Sequence, residues 1–184
     1  NGYEATSGQI NVELLKPQTQ NPLSVNLMFN SELMAEANIM GGWKIPLKDD
    51  EEEEHEHHHE EGEHCHHQSL YTGLMAHYGQ NFMPMDENHD SFVDMPLTQN
   101  ANLANRWFFK HGEYTFQAFV RGLYDRRRGG QMADSIANPY HINLNTWRVE
   151  GFMKNGYVFN PESGSSVAVI AAVSYHDLNN QYGI

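Results

Sequence analysis

The sequence has little of what defines several common protein classes. It holds a single cysteine among 184 residues, so an intramolecular disulfide framework is excluded. No run of about 18 apolar residues occurs, which excludes a helical membrane span. The 3.6-residue rhythm of an amphipathic helix is hard to find at any position. These absences direct attention to β-structure.

Motifs of common enzymes and of nucleic-acid binding are also missing. The chain has no Gly-rich phosphate loop, no Gly-x-Ser-x-Gly, no His-Glu-x-x-His and no pair of carboxylates with a catalytic partner. We therefore expect no enzyme activity. The only basic run is Arg126, Arg127 and Arg128, and such a run more often meets lipopolysaccharide phosphates or solvent than a nucleic acid. We assign no nucleic-acid partner.

What the chain does have is one stretch of extreme composition, residues 49–67, with the sequence DDEEEEHEHHHEEGEHCHH. It contains ten acidic residues, seven of the twelve histidines and the cysteine. Without its acids the chain would carry 14 acidic residues against 11 Lys and Arg, a net charge of −3 instead of −13. Because the stretch has no aliphatic or aromatic residue, it cannot bury a core and should be a solvated, disordered loop.

The side chains of this stretch suggest a metal site. Imidazole and thiolate donors suit Zn or Cu, and also Ni or Co, and a flexible loop can arrange four of them around tetrahedral Zn. The candidate ligands are His55, His57, His58, His59, His64, Cys65, His66 and His67. Their spacing matches no defined finger or catalytic motif, which predicts weak binding at several sites. The alternative is a disordered polyelectrolyte spacer.

A second candidate cation site lies in the segment MDENHDSFVDMP. Oxygen donors at positions 1, 3, 5 and 9 of a calcium-loop-like pattern are supplied by Asp86, Asn88, Asp90 and Asp94. Position 6, where an EF-hand has glycine, is Ser91, and position 12, where it has a bidentate Glu, is Leu97. The segment therefore departs from the EF-hand pattern at two positions, which argues against an EF-hand. A shorter Asp-rich calcium loop and an ordinary solvated turn stay open.

Apolar and polar residues alternate with a period of two in seven segments, which predicts β-strands. These segments are 23–29, 35–45, 70–78, 104–110, 114–124, 141–159 and 167–175, and the sixth is the least regular. Their polar positions are rich in Asn, Gln, Glu, Arg and Lys. Aromatic residues bracket the apolar positions, as Tyr114 and Tyr124 do in the fifth segment.

This pattern favours strands that cross a membrane. A transmembrane β-strand needs about 9–11 residues between two interfacial girdles of aromatic residues. Long connections, 80–103 and 125–140, alternate with short ones, 110–113 and 160–164, as in outer-membrane barrels. We predict an all-β, antiparallel transmembrane β-barrel. A soluble β-sandwich also alternates and is the alternative.

The opening GYEATSGQINVELLKP, residues 2–17, resembles the end of the plug domain of TonB-dependent outer-membrane receptors. Glu4, Ala5, Gly8, Ile10 and Asn11 carry that resemblance. The stretches AEANIMGGWKI, YHINLNTWRVEGFMKNGYVFNPESGSSVAVI and SYHDLNNQYG are similar to the first seven or so barrel strands of such receptors. The resemblance implies the end of a plug at 1–17 and, at 18–184, the first part of a barrel of about 22 strands that is incomplete here.

The resemblance also implies a function and a cellular place. Such a receptor lies in the bacterial outer membrane, contacts its lipid, and couples to the TonB complex to import a metal ion or metal chelate. The chain would enter the barrel from the periplasm, so that 49–67 is periplasmic and 80–103 extracellular. Two alternatives remain, namely a soluble secreted β-domain that sequesters Zn or Cu, and adhesion or carbohydrate binding through the long loops.

Overall fold

The computed structural model describes residues 15–47, 68–132 and 137–183. They form seven β-strands: β1 Ser24–Phe29, β2 Met34–Ile45, β3 Gln68–Asn81, β4 Leu97–His111, β5 Tyr114–Gly130, β6 His141–Asn160 and β7 Ser165–Gly183. Every strand pairs antiparallel with the next one along the chain, in the order β1 to β7. The predicted all-β, antiparallel fold of about seven strands is confirmed.

The sheet is open. Among the described residues β1 and β7 each pair with one strand only, so both are edge strands. Within 15–47, 68–132 and 137–183 no helix is long and apolar enough to cross a membrane.

The connections divide the sheet into two ends. At the turn end, β4 joins β5 through Gly112 and Glu113, and β6 joins β7 through residues 161–164. Gly112 and Gly164 have φ of 54° and 69°, a left-handed conformation that glycine adopts without steric cost. At the loop end, residues 82–96 join β3 to β4 and residues 131–140 join β5 to β6. The predicted alternation of long and short connections is found for β3 to β7.

Several strands extend past the segments that alternation predicts. β4 begins at Leu97 instead of 104, β5 continues to Gly130, and β7 continues to Gly183. In these extensions polar residues occupy both faces, as in the row Gln99, Arg126, Asn145 and Asn179 across β4 to β7. Backbone pairing continues although the hydrophobic alternation has ended, so the strand ends were invisible to a hydrophobic pattern.

The sheet is a single layer without an interlayer core. In the part of the chain that the structure describes, the buried hydrophobic side chains are Ala104 and Phe119, each 7% exposed. Large apolar side chains stand open instead, with Leu27 and Val173 both 74% exposed. A soluble sandwich would bury these side chains against a second sheet, and no second sheet forms among these residues.

Candidate functional site: two unlike faces of the sheet

The strand register places the predicted apolar positions on one side of the sheet, which we call the apolar face. Directly paired residues point to the same side, so the pairs Ile39 with Ala76, Leu103 with Gly122, and Val149 with Tyr175 share it. The same holds for Val120 with Gly151. The apolar face thus continues across all seven strands.

Aromatic side chains border the apolar face at both ends. Toward the loop end these are Tyr78, Tyr124, Trp147 and Tyr175, and toward the turn end Phe109, Tyr114, Phe116, Tyr157 and Phe159, while Trp43 and Trp107 lie further inside the band. The rings of Tyr124 and Trp147 have centroids 4.7 Å apart, and those of Phe109 and Tyr114 are 6.2 Å apart. All three tryptophans of the chain lie on this face.

The separation of the two aromatic borders sets the height of the apolar band. Tyr114 and Tyr124 are ten residues apart on β5, and so are Trp147 and Tyr157 on β6. Ten residues of strand span about 33 Å at about 3.3 Å per residue. A strand tilt of about 40° reduces this to a height of about 25 Å, the height of the apolar band of outer-membrane barrels.

The opposite side, the polar face, holds a ladder of amides around a histidine. The side chain of Asn38 donates to Asn26 Oδ1 at 3.5 Å. The Nδ1 and Nε2 atoms of His77 lie 2.7 Å from Asn38 Oδ1 and 2.6 Å from Asn100 Oδ1. This ladder joins side chains of β1 to β4 across the sheet and occupies both ring nitrogens of His77.

On β5 and β6 the polar face carries a cluster of charges. One Glu150 oxygen lies 2.7 Å from Arg121 Nη2, and the other lies 2.7 Å from Arg148 Nη2. Glu150 therefore accepts from two arginines at once. Further toward the loop end, Arg127 pairs with Asp125 at 2.9 Å. Arg148 with Glu150 and Arg127 with Asp125 are two residues apart on one strand, whereas the pair of Arg121 with Glu150 depends on the register between β5 and β6. Sequence reasoning singled out none of the three.

The polar face is not polar throughout. Next to the charges, Phe119 and Phe152 stack with centroids 5.5 Å apart and an interplanar angle of 26°. They border a shallow concavity of about 360 Å³ that Ala172 and Ser174 also line. The predicted polar side thus contains an apolar floor beside an arginine cluster, which alternation alone did not indicate.

The segment before β1 lies against the polar face at its turn end. The Asn21 carbonyl accepts from Gly42 N at 3.1 Å, and the Leu15 carbonyl accepts from Arg106 Nη1 at 3.4 Å. A Cβ on Gly42 would lie 2.5 Å from the Pro17 carbonyl oxygen, and a Cβ on Gly73 would lie 3.1 Å from Gln20 Oε1. The missing side chains of these two glycines make room for the segment.

Of the two predicted cation sites, only the Asp-rich one is described. Asp86 accepts from the backbone N–H groups of Asp90 and Ser91, at 3.1 and 2.9 Å. Asp90 Oδ1 accepts from Phe92 N at 2.8 Å, and Asp94 Oδ2 accepts from Glu87 N at 2.7 Å. These carboxylates thus accept from N–H groups of their own loop.

Ser91 has a φ of 70°, the left-handed conformation that suits a glycine at position 6 of a calcium loop. Across residues 15–47, 68–132 and 137–183, no three His, Cys, Asp or Glu side chains form a group that could hold a metal ion. Calcium binding by Asp86, Asn88, Asp90 and Asp94 stays a prediction.

The histidine-rich ligands His55, His57, His58, His59, His64, Cys65, His66 and His67 lie outside the described residues. Zn or Cu binding there stays a prediction.

The loop of residues 82–96 is held against the end of β5. Val93 N donates to the Gly130 carbonyl at 2.9 Å, Met132 N donates to the Ser91 carbonyl at 2.8 Å, and Phe92 forms a bridge with Gln131. The Asp-rich loop is therefore tied to the sheet at the loop end.

No protein-family model matches the chain, and no curated protein or solved structure is significantly similar to it. The resemblance to TonB-dependent receptors thus depends on the short stretches quoted above.

Proposed function

We propose that this chain is part of an outer-membrane β-barrel similar to a TonB-dependent receptor, which imports a metal ion or a metal chelate. The observation that carries the proposal is the exposed apolar face of a single-layer sheet, bordered by aromatic residues at a spacing that fits a bilayer. The opposite face, with amides and ion pairs, suits a water-filled lumen.

The apolar face needs a cover, and lipid fits it best. Soluble monomers rarely expose a contiguous apolar patch larger than a few hundred Å², whereas this one continues over seven strands. Tyrosine and tryptophan favour the membrane interface because one end of the ring is apolar and the other is wet. A covering second sheet would give no reason for aromatic rows at both ends of the band.

The open edges support a larger barrel. In hydrocarbon every backbone N–H and C=O must be paired, so a sheet spans a membrane only as a closed barrel. β1 and β7 would then need further strands beside them. This requirement agrees with the barrel of about 22 strands that the resemblance implies.

Transport, TonB coupling and the metal substrate rest on sequence. The motif at 2–17 motivates coupling to TonB, and the donors of 55–67 motivate a transition metal beneath the pore. In the same proposal, calcium bound by Asp86, Asn88, Asp90 and Asp94 orders the outer loop of residues 82–96. The positive φ of Ser91 supports this role.

The intrinsic tryptophans provide a direct test of the membrane face. Trp43, Trp107 and Trp147 all lie on the apolar face: Trp147 at its loop-end border, and Trp43 and Trp107 further inside, in one row with Ala118. The chain would be reconstituted with phosphatidylcholine that carries bromine atoms at defined depths. We expect quenching by bromines within the bilayer and little quenching by aqueous iodide.

A matched control moves the reporter to the polar face. In a variant with all three tryptophans changed to Phe, Phe152→Trp places a single indole beside Phe119, on the side opposite Met153. This indole should respond to iodide and not to bromolipid. Equal iodide quenching of the native tryptophans and of the Phe152→Trp reporter would refute a lipid-facing apolar surface.

A further inference from the structure

Basic residues concentrate on the polar face, although the chain as a whole has a net charge of −13. Register places seven of the eleven Lys and Arg there: Lys44, Arg106, Lys110, Arg121, Arg127, Arg148 and Lys154. Among the strand residues that the structure describes, the acids on this face are Glu36, Asp125 and Glu150. In the described strands this face thus carries seven basic and three acidic side chains.

Two of the basic side chains on the polar face, Arg121 and Arg148, lie on either side of Glu150. Arg121 and Arg148 flank Glu150 at 2.7 Å, which leaves one positive charge in excess within the triad. The two arginine side chains are 36% and 46% exposed, so part of each guanidinium faces the open side of the sheet. A guanidinium has five donors, and one carboxylate cannot use all ten.

The triad stands beside the Phe119 and Phe152 floor. The concavity of about 360 Å³ is lined by Phe119, Phe152 and Glu150 itself. A concave surface with an apolar floor and a few convergent charged groups is the usual form of a small-molecule site. Low-dielectric walls also focus the field of nearby charges into such a cleft.

We propose that the triad of Arg121, Glu150 and Arg148, with the Phe119 and Phe152 floor, binds a multiply charged anionic ligand through phosphate or carboxylate groups. Guanidinium groups bind such oxygens in a bidentate manner. If the polar face lines the lumen of an importer, its cargo passes as an anion, and a metal ion passes as a negatively charged complex. This consequence for the cargo rests on the proposed function, whereas anion binding does not.

Inorganic pyrophosphate is a suitable probe because it carries several negative charges and no apolar group. Its affinity for the full 184-residue chain in detergent micelles would be measured by titration calorimetry. We expect measurable binding that weakens at least tenfold between 50 and 500 mM NaCl, because salt screens exposed charges. Arg148→Gln should weaken binding about tenfold while leaving the pair of Arg121 with Glu150 intact.

Glu150→Gln separates a binding role from a structural one. A structural role predicts that breaking two ion pairs weakens or abolishes binding. The proposed role predicts binding several-fold tighter, because the change removes the one negative charge between two arginines. Circular dichroism would show that each variant keeps its strand content.

The matched control is the double variant Arg126→Gln and Arg128→Gln. These arginines lie on the same strand but on the opposite face, paired with Asn145 and Asn143. Their loss should change pyrophosphate affinity less than twofold. The proposal is overturned if this control weakens binding as much as Arg148→Gln, if Glu150→Gln weakens it, or if the native chain does not bind pyrophosphate.

Tryptophan quenching distinguishes the failure of the membrane proposal from the failure of the anion-site proposal. A chain that binds pyrophosphate at Arg148 but shows no bromolipid quenching retains the anion site and loses the membrane assignment. The reverse result retains the membrane assignment and removes the anion site.

Discussion

Placing a charge at the middle of the apolar band should expel the chain from lipid. Val120 is 49% exposed on the apolar face, four residues from Tyr124 and six from Tyr114. It therefore lies near the middle of a band about 25 Å high. An arginine on the lipid face at the bilayer midplane costs about 2–4 kcal/mol. At about 1.4 kcal/mol for each factor of ten, Val120→Arg should lower partitioning roughly 30- to 700-fold.

The assay is the partition coefficient of the chain into phosphatidylcholine vesicles, followed through its tryptophan emission. Asn145→Arg is the control because it also adds an arginine to the apolar side, but two residues beyond Trp147, outside the band. Near the interface such a change costs only about 0–1 kcal/mol. A similar effect of both variants would refute the membrane face, since surface substitutions in water usually change stability by less than about 0.5 kcal/mol.

Three further predictions concern other parts of the chain. Gly42→Ala should destabilise the chain by about 1–3 kcal/mol in a denaturant titration, because its Cβ would meet the Pro17 carbonyl oxygen at 2.5 Å. Gly122→Ala, with nothing within 4 Å of its Cβ, should have almost no effect, and equal losses would contradict the docked segment. A peptide of residues 49–67 should bind Zn or Cu more tightly than millimolar at pH 7, and weaker binding would leave only the spacer interpretation. Calcium should protect residues 80–100 from protease, and Asp90→Ala should abolish that protection. Asp90→Asn keeps an acceptor for Phe92 N and an oxygen that can still bind calcium, so it should weaken the protection less than Asp90→Ala. Protection that is the same with and without calcium would point to an ordinary turn.

The strands and their two faces could be predicted from the sequence. A residue of β5 such as Val120 faces the same way as Ala118 and Gly122 because side chains alternate along any strand. The alternation of apolar and polar residues therefore predicts both the β-fold and the division of the sheet into an apolar and a polar side. It needed no knowledge of which strands pair.

The strand ends could not be predicted in the same way. Beyond Trp147 toward the loop end, Asn143 and Asn145 stand on the side that is apolar elsewhere. A strand with polar residues on both faces has no hydrophobic alternation. Its pairing is maintained by backbone hydrogen bonds to neighbouring strands, which leave no signal in the side-chain pattern.

The triad of Arg121, Glu150 and Arg148 could not be predicted from the sequence for a different reason. Arg121 and Glu150 come together because β5 and β6 pair in one register, and a shift by one residue would turn one of them to the other face. The docking of Pro17 on Gly42 and Gly73 likewise joins three distant parts of the chain. The two glycines at 41–42 can be seen in the sequence, but the sequence does not show that Pro17 lies against Gly42.

The uncovered margin of β7 governs how this polypeptide can be handled in the laboratory. Among the described residues no strand covers it, so its nineteen residues present a row of unpaired peptide groups, flanked by Val167, Val169 and Val173 at 55%, 63% and 74% exposure. Such a margin is a template on which any extended chain can add itself, including another copy. Without detergent we expect precipitation by strand addition at this margin. Lysine introduced at Val169 should delay that precipitation, because a charge along a strand edge blocks addition.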